Sequence, residues 1–212
     1  MLNRALFVLG RLFLLNVIYI LTVAFSLGIL VAPATSALFY CTKDLLNKDT
    51  KEYGFLKQYM NIIKTKFRFS FWFGLMAALI LYLCIVNLDN VLLMNYPSWL
   101  LKTIVVFQYI IIVETSLMTV MVLFLNGLFL FSKFSDLLKM AFFILHRHFF
   151  TTLIMVITIT VLVYVFVFYL NAFLLLLFFS VVYLWINLLY WPIVNKYIVK
   201  KEEKPEYEQK AE

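Results

Sequence analysis

Charge is scarce in this sequence. Only 14% of the 212 residues are Asp, Glu, Lys or Arg, whereas a soluble chain usually carries about 25%, so this chain cannot cover itself with wet polar groups. Glycines number five and are scattered, which excludes a Walker loop or any other glycine-rich phosphate cradle. The two cysteines, Cys41 and Cys84, fall at opposite ends of adjacent expected helices, too far apart for a disulfide. Both read as small apolar residues, with Cys41 an alternative membrane-edge acylation site. The two histidines, His146 and His148, project about 200° apart on a helix, with no Cys, Asp or Glu beside them in sequence. They read as interfacial side chains and not as metal ligands.

What the chain has in excess is hydrophobic residues, 65% of the total, and they come in uncharged runs near 20 residues or longer. Runs of that length belong to helices that span a bilayer. Leu12 to Val31 makes a first span, with Pro33 marking where regular helix loosens. Phe69 to Leu88 makes a second, between Arg68 and Asp89. Thr103 to Ser132 holds a third, interrupted only by Glu114. Phe149 to Asn195 has no formal charge and is long enough for two spans joined by a turn near Asn171. The expected fold is therefore all-α, with five transmembrane helices in residues 1–195 and a polar cytoplasmic tail over 196–212.

Net charge is +7, and its placement sets the orientation. Seven Lys or Arg lie between Lys43 and Arg68, three between Lys133 and Arg147, and five after Asn195, against Arg4, Arg11 and Lys102 elsewhere. With five alternating crossings, the positive-inside rule puts the two basic loops and the C-terminus in the cytoplasm and the N-terminus outside. No nucleic-acid motif accompanies the basic charge, so its expected partner is the lipid head-group layer and not a nucleic acid. A cleaved signal peptide ending near APATSA is disfavoured, because cleavage there would export the basic loop.

Two stretches outside the spans are amphipathic. In FLKQYMNIIKTKFR, Leu56, Met60, Ile63 and Phe67 recur at helical spacing, beside a basic edge that includes Lys57, Lys64, Lys66 and Arg68. The segment suits the membrane surface, with docking on a partner protein as the alternative. FSDLLKMAFFILHRHFF is the second such stretch. ALFYCTK (residues 37–43) and GLFLFSK (residues 127–133) share a pattern, and Asp-Leu-Leu follows each. Either a parallel internal repeat of span, surface helix and span or the chance likeness of an apolar alphabet accounts for this.

Candidate chemistry is sparse. Glu114 is the only acidic residue inside an expected span, where a carboxylate must be protonated, paired or wet. Thr115, Ser116 and Thr119 lie near it on the same helix. A proton or cation site and a structural carboxyl are both open readings; no second acid, Lys or Arg inside another span supplies a relay. Asn16, Asn87, Gln108, Asn126, Asn171 and Asn187 are in or near spans, where amides tie helices together. Gly28, Ala32 and Ser36, with Pro33 among them, have the small-xxx-small spacing of a close helix contact or a break. No nucleophile–base pair or metal set appears, so the chain reads as non-enzymatic, without a cofactor.

The order of NVIYILTVAFSLGILVAPATSALFYCTKDLL, FLKQYMNIIKTKFRFSFWF and SKFSDLLKMAFFILHRHFFTTL resembles the YesL-like bacterial membrane proteins, a family of unassigned function. Ala32, Pro33, Ala34, Thr35, Ala37, Leu38 and Phe39 occupy a corner whose family pattern is roughly Thr-Ile-Gly-Pro-Ala-Thr-x-Ala-Leu-Tyr. Ala32 replaces the usual Gly and Leu30 the usual Thr. The resemblance implies a bacterial cell-membrane protein working beside a carbohydrate ABC importer permease or its sensor kinase. It implies no catalytic or binding residues and leaves the oligomeric state open.

Overall fold

The structure, a computed structural model, describes residues 2–45, 55–93, 97–168 and 175–202. Among them are seven α-helices and no strand: α1 (Leu2–Phe25), α2 (Val31–Asp44), α3 (Phe55–Leu92), α4 (Ser98–Leu128), α5 (Phe134–Arg147), α6 (Phe149–Phe168) and α7 (Leu175–Glu202). Five of them, α1, α3, α4, α6 and α7, are long and apolar enough to cross a bilayer. The chain is a multi-pass integral membrane protein. The short α2 and α5 are additional to those five.

The first apolar run does not continue to Val31 as one helix. It stops at Phe25 because Leu27 (φ +50°) and Gly28 (φ +84°) turn left-handed. Gly28 N–H donates to Val23 O and Leu27 N–H to Ala24 O, the paired bonds that close a helix C-terminus. Leu27 holds a conformation that costs an L-residue roughly 1–2 kcal/mol, whereas Gly28 adopts it freely. Pro33 does not loosen a helix. It sits in the first turn of α2, where a missing N–H has no intrahelical partner to lose.

A second difference concerns the amphipathic stretch after Gly54. It is no separate surface helix but the first part of α3, which runs without a break from Phe55 to Leu92. Nothing between Lys64 and Ser70 interrupts propagation: there is no Gly, no Pro and no capping turn. The buried stripe is Tyr59, Ile63, Lys66 and Ser70, at steps of four, three and four. Leu56, Met60 and Phe67 of the expected apolar stripe face outwards instead.

Packing centres on α2, against which α3, α4 and α7 all lie. Ser36 meets Ser70 and Ala32 faces Gly74, so α2 and α3 run antiparallel. Asn126 meets Ser70, and Lys66 meets Phe129 just past the end of α4, so α3 and α4 are antiparallel too. Thr152–Tyr190, Thr158–Trp185 and Phe166–Phe178 contacts pair α6 antiparallel with α7. The turn expected near Asn171 joins these two helices but lies outside the described residues. Helix α7 continues through Asn195 to Glu202, so the expected tail begins helical; residues 203–212 are outside those described.

The two segments of the suggested repeat differ locally. Residues 37–43 are inside α2, whereas residues 127–133 form the end of α4 and the non-helical link to α5. Arg11 of α1 approaches the start of α3. Its guanidinium lies 5.7 Å from the Phe55 ring at the start of α3, so the beginnings of α1 and α3 are neighbours.

Close approach of α2 to α4 leaves no room at Gly127: a Cβ there would strike the Ser36 carbonyl, which is backbone and cannot swing away. At Gly10 a Cβ meets nothing within 4 Å. Gly127→Ala should therefore destabilise the detergent-solubilised protein by about 1–3 kcal/mol, read as a lower thermal midpoint, while Gly10→Ala leaves it unchanged or slightly raised.

Candidate functional site

Polar side chains inside the bundle form a seam from helix to helix. Ser36 and Ser70 hydroxyls lie 2.8 Å apart, and Asn126 Nδ2 donates to Ser70 Oγ at 2.7 Å. Asn187 Nδ2 donates to Thr42 Oγ1 at 2.8 Å and to Phe39 O at 3.0 Å. Asn16 Oδ1 accepts from the Ser180 N–H, and Thr152 and Tyr190 hydroxyls meet at 2.7 Å. All these residues are buried. In hydrocarbon such bonds join helices because no water competes for them. Asn187 Oδ1 and Ser180 Oγ are the atoms of this set without a hydrogen-bond partner.

Lys66 ends the seam on the side of the α4–α5 link. Its ammonium donates to Phe129 O, a carbonyl just beyond the last turn of α4, where a helix presents the negative end of its dipole. The basic edge thus divides. Lys57, Lys64 and Arg68 are exposed along α3, whereas Lys66 is buried. Further cations rest on aromatic faces: Lys43 lies 4.2 Å from the Trp191 ring and Arg147 5.3 Å from Phe143. Rings and cations pair in this way at membrane edges.

The small-residue corner is distributed along the α1–α2 turn and α2. Gly28 is in the turn; Ala32 faces Gly74; Pro33, Ala34 and Ala37 are buried in α2; Thr35 bonds the Tyr19 hydroxyl at 3.2 Å; Ser36 enters the seam. Cys41 and Cys84 are both free thiols, and Cys41 is buried.

Glu114 has a partner the sequence did not reveal. Helix α5 buries Leu137, Ala141, Ile144 and Leu145 against the bundle and runs back along α4, from Phe134 beside Phe73 to His146 beside Glu114. Glu114 is nearly four turns before the end of α4, at about 3.6 residues per turn. His146 Nε2 stands 3.5 Å from Glu114 Oε1, with the two side chains 46% and 39% exposed on the outer face of the bundle. His146 Nδ1 lies 2.9 Å from Phe142 O. A carbonyl only accepts, so Nδ1 carries the hydrogen of that contact, and Nε2 is the nitrogen that faces Glu114.

A hollow of about 220 Å³ adjoins Glu114, lined by Phe73, Ile80, Thr115, Met118, Phe134 and Leu138. Thr119 is not part of it. Its hydroxyl bonds back to Thr115 O at 2.7 Å, and it borders a larger groove on another face of α4. Glu114 and Thr115 therefore meet at one place and Thr119 at another.

Residues 12–88 match the family model described as "Protein of unknown function, DUF624". The DUF624 match takes in most of α1, all of α2 and most of α3, and so contains the α1–α2 turn, Ser36, Lys66 and Ser70. Glu114 and His146 fall outside it. No curated protein and no solved structure matches the chain.

Sequence reasoning reached the amides of the seam but missed Ser70, and it read Lys66 as a surface cation and His146 as an interfacial side chain without their partners Phe129 and Glu114. For His146 the available signal was the apolar spacing of α5 itself, which fits burial against a helix as well as a surface position. Asn126→Leu should lower stability by about 1–2 kcal/mol, the range for an interhelical side-chain bond in a membrane. Ser116→Ala, whose hydroxyl only bonds Ile112 O of its own helix, should leave the same unfolding midpoint unchanged.

Proposed function

We propose that this protein is a non-enzymatic accessory component that docks within the bilayer on a membrane-spanning partner, through the α4–α5 face around Glu114 and His146. The partner class is the permease of a bacterial carbohydrate ABC importer or its sensor kinase, on the strength of the family resemblance. The basic loops and the C-terminus face the cytoplasm of the bacterial cell, following the positive-inside rule.

The observation that carries this reading is the Glu114–His146 pair, whose side chains are partly exposed on this face although Glu114 Oε1 itself is covered. Polar groups at span depth are costly in lipid and normally face protein or water. A partner helix laid over this face removes that cost. The interior polar residues support docking over transport, since they tie helices to one another. A small transporter with Glu114 in its route is the second reading, supported by the hollow beside Glu114 and by the imidazole 3.5 Å from its carboxyl.

Both readings are tested with Glu114→Gln. Co-expressed with candidate importer permeases and crosslinked in the membrane, the wild type should co-purify with one of them. The variant should lose about tenfold in yield of complex, equivalent to roughly 1.4 kcal/mol. Equal capture by both forms, with unchanged sugar uptake in a deletion strain, defeats the docking reading. In proteoliposomes, flux of a sugar or cation above empty vesicles that Glu114→Gln abolishes would establish transport instead.

A further inference from the structure

We infer that α1 and α2 form a re-entrant hairpin: the chain enters the bilayer along α1, turns near the midplane at residues 26–30, and leaves along α2 on the side it entered. The N-terminus then shares a side with the C-terminus, and the net crossings are four, made by α3, α4, α6 and α7.

Length is the first support. The uncharged stretch from Leu12 to Thr42 has 31 residues, too many for one span of about 20 and too few for two. Helix α2, at 14 residues, rises only about 21 Å, short of a hydrocarbon core near 30 Å.

The turn itself is built for hydrocarbon. Its apolar side chains stand out from the bundle, Phe25 at 85% and Leu27 at 90% exposure, which is a poor surface for water. Its backbone N–H groups are satisfied internally. Ser26 N–H donates to Thr22 O, Leu27 to Ala24 O, Gly28 to Val23 O, Ile29 to Ser26 O and Val31 to Gly28 O. Leu30 N–H is taken by the Ser26 hydroxyl, which itself donates to Val23 O. Unpaired backbone groups are costly in hydrocarbon, and non-helical backbone is tolerated at bilayer depth where it packs on protein or lines a cavity, as this turn lines a groove against α3 and α4.

Depth comes from the neighbours. Leu27, Gly28 and Ile29 wall a groove of about 720 Å³ whose opposite side is Gly74 and Ala78 of α3 with Ser116 of α4. Ala78 is at the middle of the uncharged run Phe69 to Leu88, and Ser116 is at the middle of the run Thr103 to Ser132. The turn is therefore level with the centres of two spanning helices.

The side of entry comes from Arg11, whose guanidinium is 5.7 Å from Phe55, ahead of the α3 span and on the side of the first basic loop. Lys43, at the far end of the hairpin, lies over Trp191 in the second half of α7. With Arg4 and Arg11 moved to this side, Lys102 is the one Lys or Arg of 18 left on the other, a cleaner asymmetry than five crossings produce.

The test uses the full chain with Cys84→Ala, Cys41 being buried, and single cysteines placed by Asn3→Cys, Leu27→Cys and Lys102→Cys. Right-side-out and inside-out vesicles are treated with a charged maleimide. Asn3→Cys should label only in inside-out vesicles and Lys102→Cys only in right-side-out ones. Leu27→Cys should resist the charged reagent in both, yet react with a membrane-permeant maleimide. Labelling of Asn3→Cys from the outer face, or of Leu27→Cys by the charged reagent from either face, overturns the hairpin. Reporter fusions to each terminus of the unmutated chain give a second reading: same-side signals support the inference and opposite-side signals refute it.

Discussion

A peptide or amide group inside a bilayer has no water to fall back on, so each must find its partner within the chain. That constraint accounts for the order of this bundle more than apolar packing does, because lipid tails solvate Leu and Phe as well as another helix would. The hydrogen bonds around Ser36, Ser70 and Asn126 select which faces of α2, α3 and α4 meet. Asn187 does the same between α7 and α2. An apolar replacement at these positions would leave the helices buried in lipid with several near-equivalent ways to pack.

Such short bonds require the backbones to come close, and the small residues permit it. Gly127 lies against the Ser36 carbonyl and Gly74 against Ala32, on either side of the seam. Where bulk is needed, aromatic edges supply it: Phe39 meets Tyr183 at 4.6 Å and Phe124 at 5.4 Å, both edge-on, a favoured geometry for rings. Phe39 thus wedges α4 and α7 apart by a fixed amount, while its own carbonyl accepts from Asn187. Packing and polar contacts at α2 are therefore one arrangement and cannot be altered separately.

Hydropathy made the five long helices legible, because an uncharged apolar run near span length seldom occurs outside a bilayer. It could not separate α1 from α2, since Leu27 and Gly28 interrupt the helix without interrupting the apolar run. Nor could it join the amphipathic helix after Gly54 to the following span, because Lys57, Lys64 and Arg68 end the apolar run although one helix passes through them. Amides such as Asn16, Asn126 and Asn187 were legible as helix ties by type alone. Their partners were not, since Ser70, Ser180 and Phe39 are distant in sequence and ordinary in kind. Lys66 shows the same limit: its charge groups it with the exposed lysines, while its helical register with Tyr59, Ile63 and Ser70 turns it inwards to the carbonyl beyond α4.

Helices α2 and α5 share a length of 14 residues, too short to cross, and each brings a polar group to a depth that a surface loop could not reach. For α2 these groups are Thr35, Ser36 and Thr42, all buried within the bundle. For α5 it is His146, left on the outer face with Glu114. The difference is physically meaningful. A polar contact enclosed by the chain's own helices holds the fold together, whereas one left at the perimeter gains little for the isolated bundle and still carries the cost of its depth. Stability of the single chain therefore gives less reason for the Glu114–His146 pair than for the enclosed polar contacts of α2.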